Sequence, residues 1–272
     1  MKAIFLADAH LKSSAGAGYK KCLHFLDGLH GRGTLPGAES SAVNNVDLIV
    51  IAGDFFDFWF ERNGRIYPEF QLIVRSIQRL KNEGVRICIC EGNHDFFLAD
   101  FFAGRLGLEV YPDSLELTID GLRVFVAHGD TVDRENRRYL ALRRFFRSSS
   151  LYRLQKILPL ALLFAIARAS SGLSRGMTIR AQEQIVEKMR LFAEGKFTDG
   201  FDAVILGHSH AETLKEETEK GERRIFATLG DWITLSTYLL CENGRFSLKR
   251  FDRKDKATEK HFGKEFFGHV AL

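Results

Sequence analysis

Seven side chains that can bind metal ions lie in five short blocks of the 272-residue chain. The blocks are Asp8-Ala9-His10, Gly53-Asp54, Gly92-Asn93-His94-Asp95, His128-Gly129-Asp130 and Gly207-His208-Ser209-His210. They supply the candidate metal ligands Asp8, His10, Asp54, Asn93, His128, His208 and His210. Imidazole, carboxylate and amide donors without thiolates suit divalent ions such as Mn²⁺, Fe²⁺ or Zn²⁺. One block alone also fits an ordinary turn, but five in one chain predict a metal centre.

Two divalent ions about 3.5–4 Å apart have a specific chemical use. They activate a shared water and stabilise the charge on a phosphoryl group during its transfer. His94, next to Asn93, is predicted to contact a phosphoryl oxygen or to protonate the leaving oxygen. Asp95 is predicted to hold the orientation and tautomer of His94, and Asp57 and Asp130 to orient other groups at the rim. The blocks thus predict a two-metal phosphoesterase with His94 and Asp95 as catalytic residues.

The blocks follow short apolar runs that are typical of buried strands. The strands predicted before them are residues 3–7, 48–52, 85–90, 124–127 and 203–206. Helical spacing over 19–29 and 70–81 indicates βαβ units, so a largely parallel sheet is expected. In such sheets ligands bind beyond the carboxyl ends of the strands, where each block lies. Later antiparallel strands are predicted at 116–119, 224–228, 234–241 and 246–251.

The stretch between the fourth and fifth blocks has no strand signal. Its spacing predicts three helices, over 134–153, 158–169 and 178–194. We therefore expect a helical cap insertion at 131–200, placed as a lid over a core formed by 1–130 and 201–251. The remaining residues, 252–272, form a C-terminal tail whose role stays open. A small, polar stretch at 31–45 predicts a surface loop.

Composition limits the possible classes of protein. The longest apolar run, 158–167, is shorter than the about 20 residues that a spanning helix needs, and the apolar stretch at 3–7 is too short for a signal peptide. The cysteines lack disulfide spacing and suit burial in a reducing compartment; they are Cys22, Cys88, Cys90 and Cys241. A cytoplasmic protein is expected. The net charge of +4 is near balance and no recognition fold is visible, so no nucleic-acid partner is expected.

The first part of the insertion is strongly basic. Between Arg134 and Lys156 it has eight basic residues and one acidic residue, interleaved with leucine, phenylalanine and tyrosine. Such helices suit an anionic membrane surface. The alternative is a lid whose leucines pack on the core and whose arginines are merely solvated. The sequence leaves both interpretations open.

The five blocks together resemble the pattern of the calcineurin-like metallophosphoesterase superfamily. The resemblance covers nearly the whole chain and implies an α/β fold, a two-sheet α/β/β/α sandwich with a helical cap insertion. It also implies two metal sites that share one carboxylate. The first would be formed by Asp8, His10, Asp54 and His210. The second would be formed by Asp54, Asn93, His128 and His208.

A narrower resemblance involves residues 52–60, 91–93, 128–131, 139–147, 158–160 and 229–232. These segments are similar to the bacterial UDP-2,3-diacylglucosamine diphosphatase family. The resemblance implies hydrolysis of the substrate pyrophosphate to UMP and 2,3-diacylglucosamine 1-phosphate in lipid A biosynthesis. It further implies two Mn²⁺ ions and peripheral contact with the cytoplasmic face of the inner membrane. The implied substrate-binding residues are Asn93, His94, Tyr139, Ser174 and His208.

The chain departs from this family at one position of the site. The best-known branch has arginine directly after the metal-binding asparagine, where this chain has His94. The exact substrate, the acyl-chain length and the physiological metal therefore stay open, as does the oligomeric state. One alternative is another calcineurin-like phosphodiesterase or phosphatase acting on nucleotides or other phosphoesters. The alternative from another class is a non-catalytic membrane-associated adaptor.

Overall fold

The computed structural model describes residues 1–31, 44–170, 179–219 and 221–251, with side chains described to residue 166 and again from residue 180 in the insertion. Most of the predicted loop at 31–45, the substrate contact predicted at Ser174 and the tail at 252–272 lie outside the described residues.

The described chain alternates strands and helices in its first half and is helical between the eighth and ninth strands. The strands are β1 (Lys2–Leu6), β2 (Leu48–Ala52), β3 (Glu61–Arg62), β4 (Arg65–Ile66), β5 (Arg86–Cys90), β6 (Glu109–Tyr111), β7 (Ser114–Ile119), β8 (Leu122–Ala127), β9 (Ala203–Leu206), β10 (Glu212–Glu219), β11 (Glu222–Leu229), β12 (Thr237–Glu242) and β13 (Arg245–Arg250). The helices are α1 (Ala17–Asp27), α2 (Gln71–Asn82), α3 (Ala99–Phe102), α4 (Arg137–Phe146), α5 (Ser149–Ile157), α6 (Leu160–Ser170) and α7 (Ile179–Thr198). A 3₁₀ turn at Pro68–Phe70 precedes α2.

The strands form two mixed sheets, and β3 pairs with β4 in a separate hairpin. The six-stranded sheet has the order β13-β12-β1-β2-β5-β6, and the five-stranded sheet has the order β10-β11-β9-β8-β7. Each has a parallel centre, β1-β2-β5-β6 in one and β11-β9-β8 in the other. Antiparallel strands extend both centres: β12 and β13 in the first sheet, β7 and β10 in the second. The predicted parallel strands form the two centres, and the antiparallel strands predicted at 116–119, 234–241 and 246–251 correspond to β7, β12 and β13. The segment at 224–228, predicted to be antiparallel, lies in β11, which pairs in parallel with β9 and antiparallel with β10.

The two sheets pack against each other through alternate residues of their strands. Phe5 and Val50 of the first sheet share one buried cluster with Val126 and Ile205 of the second. The opposite face of the first sheet is covered by α1 and α2, whose Phe25 and Ile77 belong to a second buried cluster. Helix α7 covers the outer face of the second sheet through a third cluster. The layers are therefore helix, sheet, sheet and helix, which confirms the predicted α/β/β/α sandwich.

The predicted helix at 134–153 is in fact two helices, α4 and α5. The break falls at Arg147 and Ser148, and the Ser148 side chain accepts a hydrogen bond from the backbone N–H of Leu151 at 3.3 Å. Serine favours this N-cap position because its oxygen pairs a backbone N–H that the helix leaves free. Helix α7, the last of the predicted insertion, packs Met189 and Phe197 on the second sheet. The lid consequently consists of α4, α5 and α6.

The lid is tied to the core at α5 and α6. Lys156 of α5 pairs with Glu61 of the β3–β4 hairpin at 3.1 Å, and Arg62 donates to the carbonyl of Gln155 at 2.8 Å. Phe164 of α6 packs against Tyr67, with the two ring centroids 4.9 Å apart. In the described residues no single helix is long and apolar enough to cross a membrane, although α5 and α6 reach that length and composition together across a bend of 118°.

Candidate metal centre

All seven predicted ligands lie on loops that follow parallel strands. Asp8 and His10 follow β1, Asp54 follows β2 and Asn93 follows β5 in the first sheet. In the second sheet His128 follows β8, and the last two ligands, His208 and His210, follow β9. Since parallel strands end at one edge of a sheet and the two sheets pack face to face, the five loops meet at one place.

Most of these ligands adopt a left-handed backbone conformation, which is uncommon for residues other than glycine. Five of the seven have positive φ angles, between 42° and 65°. They are Asp8, His10, Asp54, His208 and His210. A residue with a side chain held there costs about 1–3 kcal/mol, and such residues cluster at functional sites. Hydrogen bonds from Asp8 N to Gly53 O at 3.1 Å and from His10 N to Asp54 O at 3.0 Å hold two of the loops in place.

Glycines leave room for the ligands. A Cβ atom at Gly92 would lie 2.1 Å from Oδ1 and 2.3 Å from the backbone N of Asp54. One at Gly53 would lie 2.7 Å from the ring of His128. Real Cβ contacts do not approach so closely. The glycines of the second and third blocks are therefore required by the space that the ligands occupy.

The first group of donors is formed by Asp8, His10 and His210, whose ligand atoms all lie within 4.8 Å of one another. The Nε2 atoms of His10 and His210 are 3.3 Å apart. Oδ1 of Asp8 lies 3.7 Å from Nε2 of His210. Oδ1 of Asp8 is buried and has no hydrogen-bond partner among the described residues. A buried carboxylate oxygen without a donor is costly, and a cation between these three groups would satisfy it.

The second group is formed by Asp54, His128 and His208. Nε2 of His128 lies 3.3 Å from Oδ2 of Asp54 and 3.0 Å from Oδ1 of Asn93, so the amide belongs to the same group. Oδ2 of Asp54 also lies 3.7 Å from Nε2 of His10, which belongs to the first group. The Asp54 carboxylate thus stands between the two groups. This donor set fits two divalent ions that share one carboxylate.

The charges of the buried ligands depend on one another. Burial raises the pKa of Asp8 to about 7 and lowers that of His208 to about 4. Burial alone would lower the pKa of His128, but the charge and hydrogen bond of Asp54 outweigh it and raise that pKa to about 10. The same pairing holds the pKa of Asp54 well below its usual value despite its burial. Without an ion, protons on Asp8 and His128 therefore offset negative charge in the buried site. A bound dication would supply this positive charge instead.

His94 lies at the rim of the two groups. Its ring is 4.8 Å from that of His10, its Nδ1 is 3.2 Å from the carbonyl oxygen of Asp57, and its backbone N–H donates to Oδ1 of Asp54 at 2.8 Å. A third set of ligand atoms within 4.8 Å joins His94 to His10 and Asp54. The structure thus places the predicted catalytic histidine in the site, with one ring nitrogen held by the backbone of residue 57.

Asp95 has a different role from the one that the sequence predicted. Its two oxygens accept the backbone N–H groups of Asp54, Phe55, Phe56 and Gly92, at 2.7–3.0 Å. The contact that orients the His94 ring comes from the backbone of Asp57. A fully buried carboxyl group needs hydrogen-bond donors, and these four backbone N–H groups supply them. Asp95 therefore fixes the loops of the second and third blocks together, and its predicted contact with the His94 ring is corrected.

The first helix of the lid is fixed to two ligand loops. Tyr139 and Arg143 of α4 and Arg147, the C-cap residue of this helix, are spaced by four residues and so lie on the same side. The Tyr139 hydroxyl and the Arg143 Nε both donate to Oδ2 of Asp130 at 2.7 Å. Arg147 donates to the carbonyl of Gly92 at 2.7 Å and to Glu91 at 3.1 Å. Asp130, predicted to orient histidines or backbone, contacts the lid.

Sequence reasoning missed Asp231 as a supporting residue. Its Oδ2 lies 3.6 Å from Nδ1 of His210, and its Oδ1 accepts the backbone N–H groups of Thr234 and Leu235 at 2.6 and 3.1 Å. Such a carboxylate fixes which imidazole nitrogen faces a metal. A signal was present, because Gly230-Asp231 follows β11 as Gly53-Asp54 follows β2.

Two cavities open at the site and share Asn93 in their linings. The larger has a volume of about 870 Å³ and is lined by ligands of both groups and by Lys12, Tyr19, Gln182 and Ile233. The smaller, about 180 Å³, lies under α4. Its lining residues are Asn93, Phe96, Tyr139, Leu142, Arg143, Phe146 and Arg147. Tyr139, a predicted substrate contact, thus lies beside the metal ligands.

Known proteins resemble this chain along most of its length. A family model described as calcineurin-like phosphoesterase matches residues 1–212. The UDP-2,3-diacylglucosamine hydrolase of Aeromonas salmonicida (strain A449) is 28% identical over 251 residues, which cover 92% of this chain and 93% of that protein. The hydrolase of the same name from Proteus mirabilis (strain HI4320) is 26% identical, with coverages of 92% and 99%. That from Edwardsiella ictaluri (strain 93-146) is 29% identical, with 86% of each chain covered.

Proposed function

Since this chain belongs to the calcineurin-like phosphoesterase family and is a metal-dependent phosphoesterase, we propose that its substrate is UDP-2,3-diacylglucosamine. Water would add to one phosphorus of the pyrophosphate and the bond to the bridging oxygen would break. The products would be UMP and 2,3-diacylglucosamine 1-phosphate, in a step of lipid A biosynthesis. The observation that carries this proposal is the match to hydrolases of that name over 92% of the chain, lid included.

The ligand set supports two divalent ions, and we propose Mn²⁺ for both. Bound ions of this kind supply an activated water and positive charge beside the phosphoryl oxygens. The chain orients the donors: Asp54 stands between the two groups, and Asn93 adds a neutral oxygen. The Asp57 carbonyl accepts from Nδ1–H of His94. The other ring nitrogen of His94, Nε2, would thus be the one that donates to the leaving oxygen.

The lid exposes a set of large apolar side chains, which supports a lipid-linked substrate and peripheral contact with a membrane. Phe145 is 60% exposed and Ile157 is 76% exposed. With them, α4, α5 and α6 expose Leu142, Phe146, Leu154, Leu162 and Ile166. Monomeric soluble proteins rarely expose large apolar patches without a binding role, and these seven exposed side chains all belong to three consecutive helices. We propose that this face rests on the cytoplasmic side of the inner membrane.

Only part of the basic cluster is available for such a membrane. Arg143, Arg147 and Lys156 form ion pairs with carboxylates of the core. The exposed members of the cluster are Arg134, Arg137, Arg138, Arg144 and Arg153. Each charge near an anionic surface contributes about 1 kcal/mol. The remaining charges can therefore hold the protein at its substrate's membrane together with the apolar side chains.

The substrate is tested by measuring UMP release with Mn²⁺. The diacylated substrate is compared with UDP-glucosamine, which has the same pyrophosphate and no acyl chains. The proposal predicts that kcat/KM falls by more than tenfold without the chains, since binding of remote groups contributes to turnover. Equal kcat/KM for both would indicate a nucleotide phosphodiesterase. No metal-dependent turnover of these or of bis-p-nitrophenyl phosphate would favour the adaptor.

Membrane contact is tested separately by co-sedimentation with vesicles of phosphatidylglycerol. Replacing Phe145 and Leu142 together with serine is expected to weaken binding, because both side chains are exposed on the lid. The matched control is Leu72→Ser, since Leu72 is exposed on α2, on the core. Equal loss of binding in control and double variant, or no loss in either, would argue against a docking face on the lid.

A further inference from the structure

The larger cavity has a basic side chain in its described lining. Among its described lining residues, Lys12 is the only lysine or arginine. It follows the first ligand block directly, and its side chain is 45% exposed. Lys12 therefore lines the cavity next to the first ligand block with a partly exposed side chain.

Lys12 is connected to the metal centre through one carboxylate. Its Nζ lies 3.3 Å from Oδ1 of Asp57. The same oxygen lies 3.9 Å from Nδ1 of His10 and 3.9 Å from Nδ1 of His94. The Asp57 carboxylate thus links Lys12 to a predicted ligand, His10, and to the predicted catalytic histidine, His94.

The arginines of the smaller cavity are placed differently. Arg143 is paired with Asp130 and Asp113, and Arg147 with Glu91. The guanidinium groups of both arginines therefore connect the lid to the core. The side chains that remain for a ligand in this cavity are mostly apolar, such as Phe96 and Leu142. The larger cavity has polar groups of Ser13, Gln182 and Thr234 beside its apolar lining residues.

We propose that Lys12 binds the phosphate group attached to the nucleoside, and that the larger cavity holds this nucleotide half of the substrate. The inference rests on the proposed function. The two cavities share Asn93 in their linings, as the two halves of a diphosphate meet at one bridging oxygen. A volume of about 870 Å³ lies within the usual range of small-molecule sites, and an ammonium group on a flexible stem is a common phosphate ligand.

A purely structural role for Lys12 would be to neutralise Asp57. The two roles differ in what they affect. If the role of Lys12 is structural, its removal would lower the melting temperature and the metal content of the protein. A phosphate-binding lysine changes the affinity for nucleoside phosphates and the KM for the substrate, and arginine restores its effect because the charge is kept.

The experiment compares Lys12→Ala, Lys12→Arg and the control Lys20→Ala, since Lys20 is exposed on α1 outside the cavity lining. The inhibition constant of UMP is measured against hydrolysis of bis-p-nitrophenyl phosphate with Mn²⁺, together with metal content. Loss of one charged hydrogen bond predicts an increase of about tenfold in Lys12→Ala. Lys12→Arg is expected to recover most of the affinity, and Lys20→Ala to match the wild-type protein.

Three results would overturn the inference. They are a UMP inhibition constant within twofold of wild type in Lys12→Ala, a change that arginine does not recover while the metal content falls, and a wild-type protein that UMP does not inhibit. The proposed function fails by a different result, namely that UDP-2,3-diacylglucosamine yields no UMP. The two failures can therefore be distinguished.

Discussion

A single methyl group at position 92 is expected to disable the metal centre. In Gly92→Ala the new Cβ would stand 2.1 Å from Oδ1 and 2.3 Å from the backbone N of Asp54. Gly92 does not have a positive φ angle, so the effect would be steric and not conformational. Asp54 stands between the two ligand groups, so its displacement would affect both predicted ions.

The size of the effect follows from the required movement. Ordinary contact begins at 3.4 Å and the Cβ would meet the carboxylate oxygen at 2.1 Å, so the two atoms must separate by a further 1.3 Å. A misplacement of about 1 Å at a reacting centre costs roughly 100-fold in rate. Overpacking of this kind destabilises the fold by about 1–3 kcal/mol. We therefore expect activity to fall at least 100-fold in a protein that still folds.

The assay is hydrolysis of bis-p-nitrophenyl phosphate with Mn²⁺, with metal content and thermal unfolding measured on the same samples. The matched control is Gly195→Ala in α7, where no described atom outside the neighbouring helical backbone lies within 4 Å of the added Cβ. There alanine is expected to leave activity unchanged and to stabilise the helix by about 1 kcal/mol. Wild-type activity and metal content in Gly92→Ala would refute the reasoning.

Three further changes test the surroundings of the site. Arg147→Ala leaves the carboxylate of Glu91 buried without its partner and should lower the free energy of unfolding by about 3 kcal/mol; a loss below about 1 kcal/mol in denaturant titration would contradict this. In metal-free protein the raised pKa of His128, about 10, means that the folded state retains a proton that the unfolded chain releases. Its melting temperature should therefore fall as the pH rises from about 7.5 to 9, where the histidines with lowered pKa values, His10 and His208, are neutral in both states; a rise over this window would contradict the assigned directions. Asp231→Asn should weaken Mn²⁺ binding about 10–100-fold in calorimetry, and unchanged affinity would remove Asp231 from the ligand support.

The sequence correctly predicted those elements whose structure is determined by residues close to one another in the chain. Short apolar runs that end at a ligand block gave β2 as observed and β1 and β5 within one residue at each end. Their metal-binding side chains converge because parallel strands end at one edge. The buried, free cysteines were also predicted correctly, since small apolar side chains such as Cys88 and Cys90 fit inside central strands.

The parts that were missed depend on contacts between distant segments. The charged strand β10 shows no apolar alternation, and it forms because it pairs with β11 over eight residues. The break between α4 and α5 is set by the Ser148 cap, within a stretch whose composition suits one continuous helix. Arg147 looks like a member of a basic surface cluster, and only the folded chain brings Glu91 and Gly92 to it. These features are therefore determined by tertiary contacts that the local sequence pattern does not show.

The most direct test of the central claim is UMP release from UDP-2,3-diacylglucosamine by metal-free protein, before and after addition of Mn²⁺. The wild-type protein is compared with Asp54→Ala, which removes the carboxylate that stands between the two ligand groups. The account predicts no release without metal, turnover when about two ions per chain are bound, and no recovery in the variant. Release by metal-free protein, or equal release by Asp54→Ala, would contradict it.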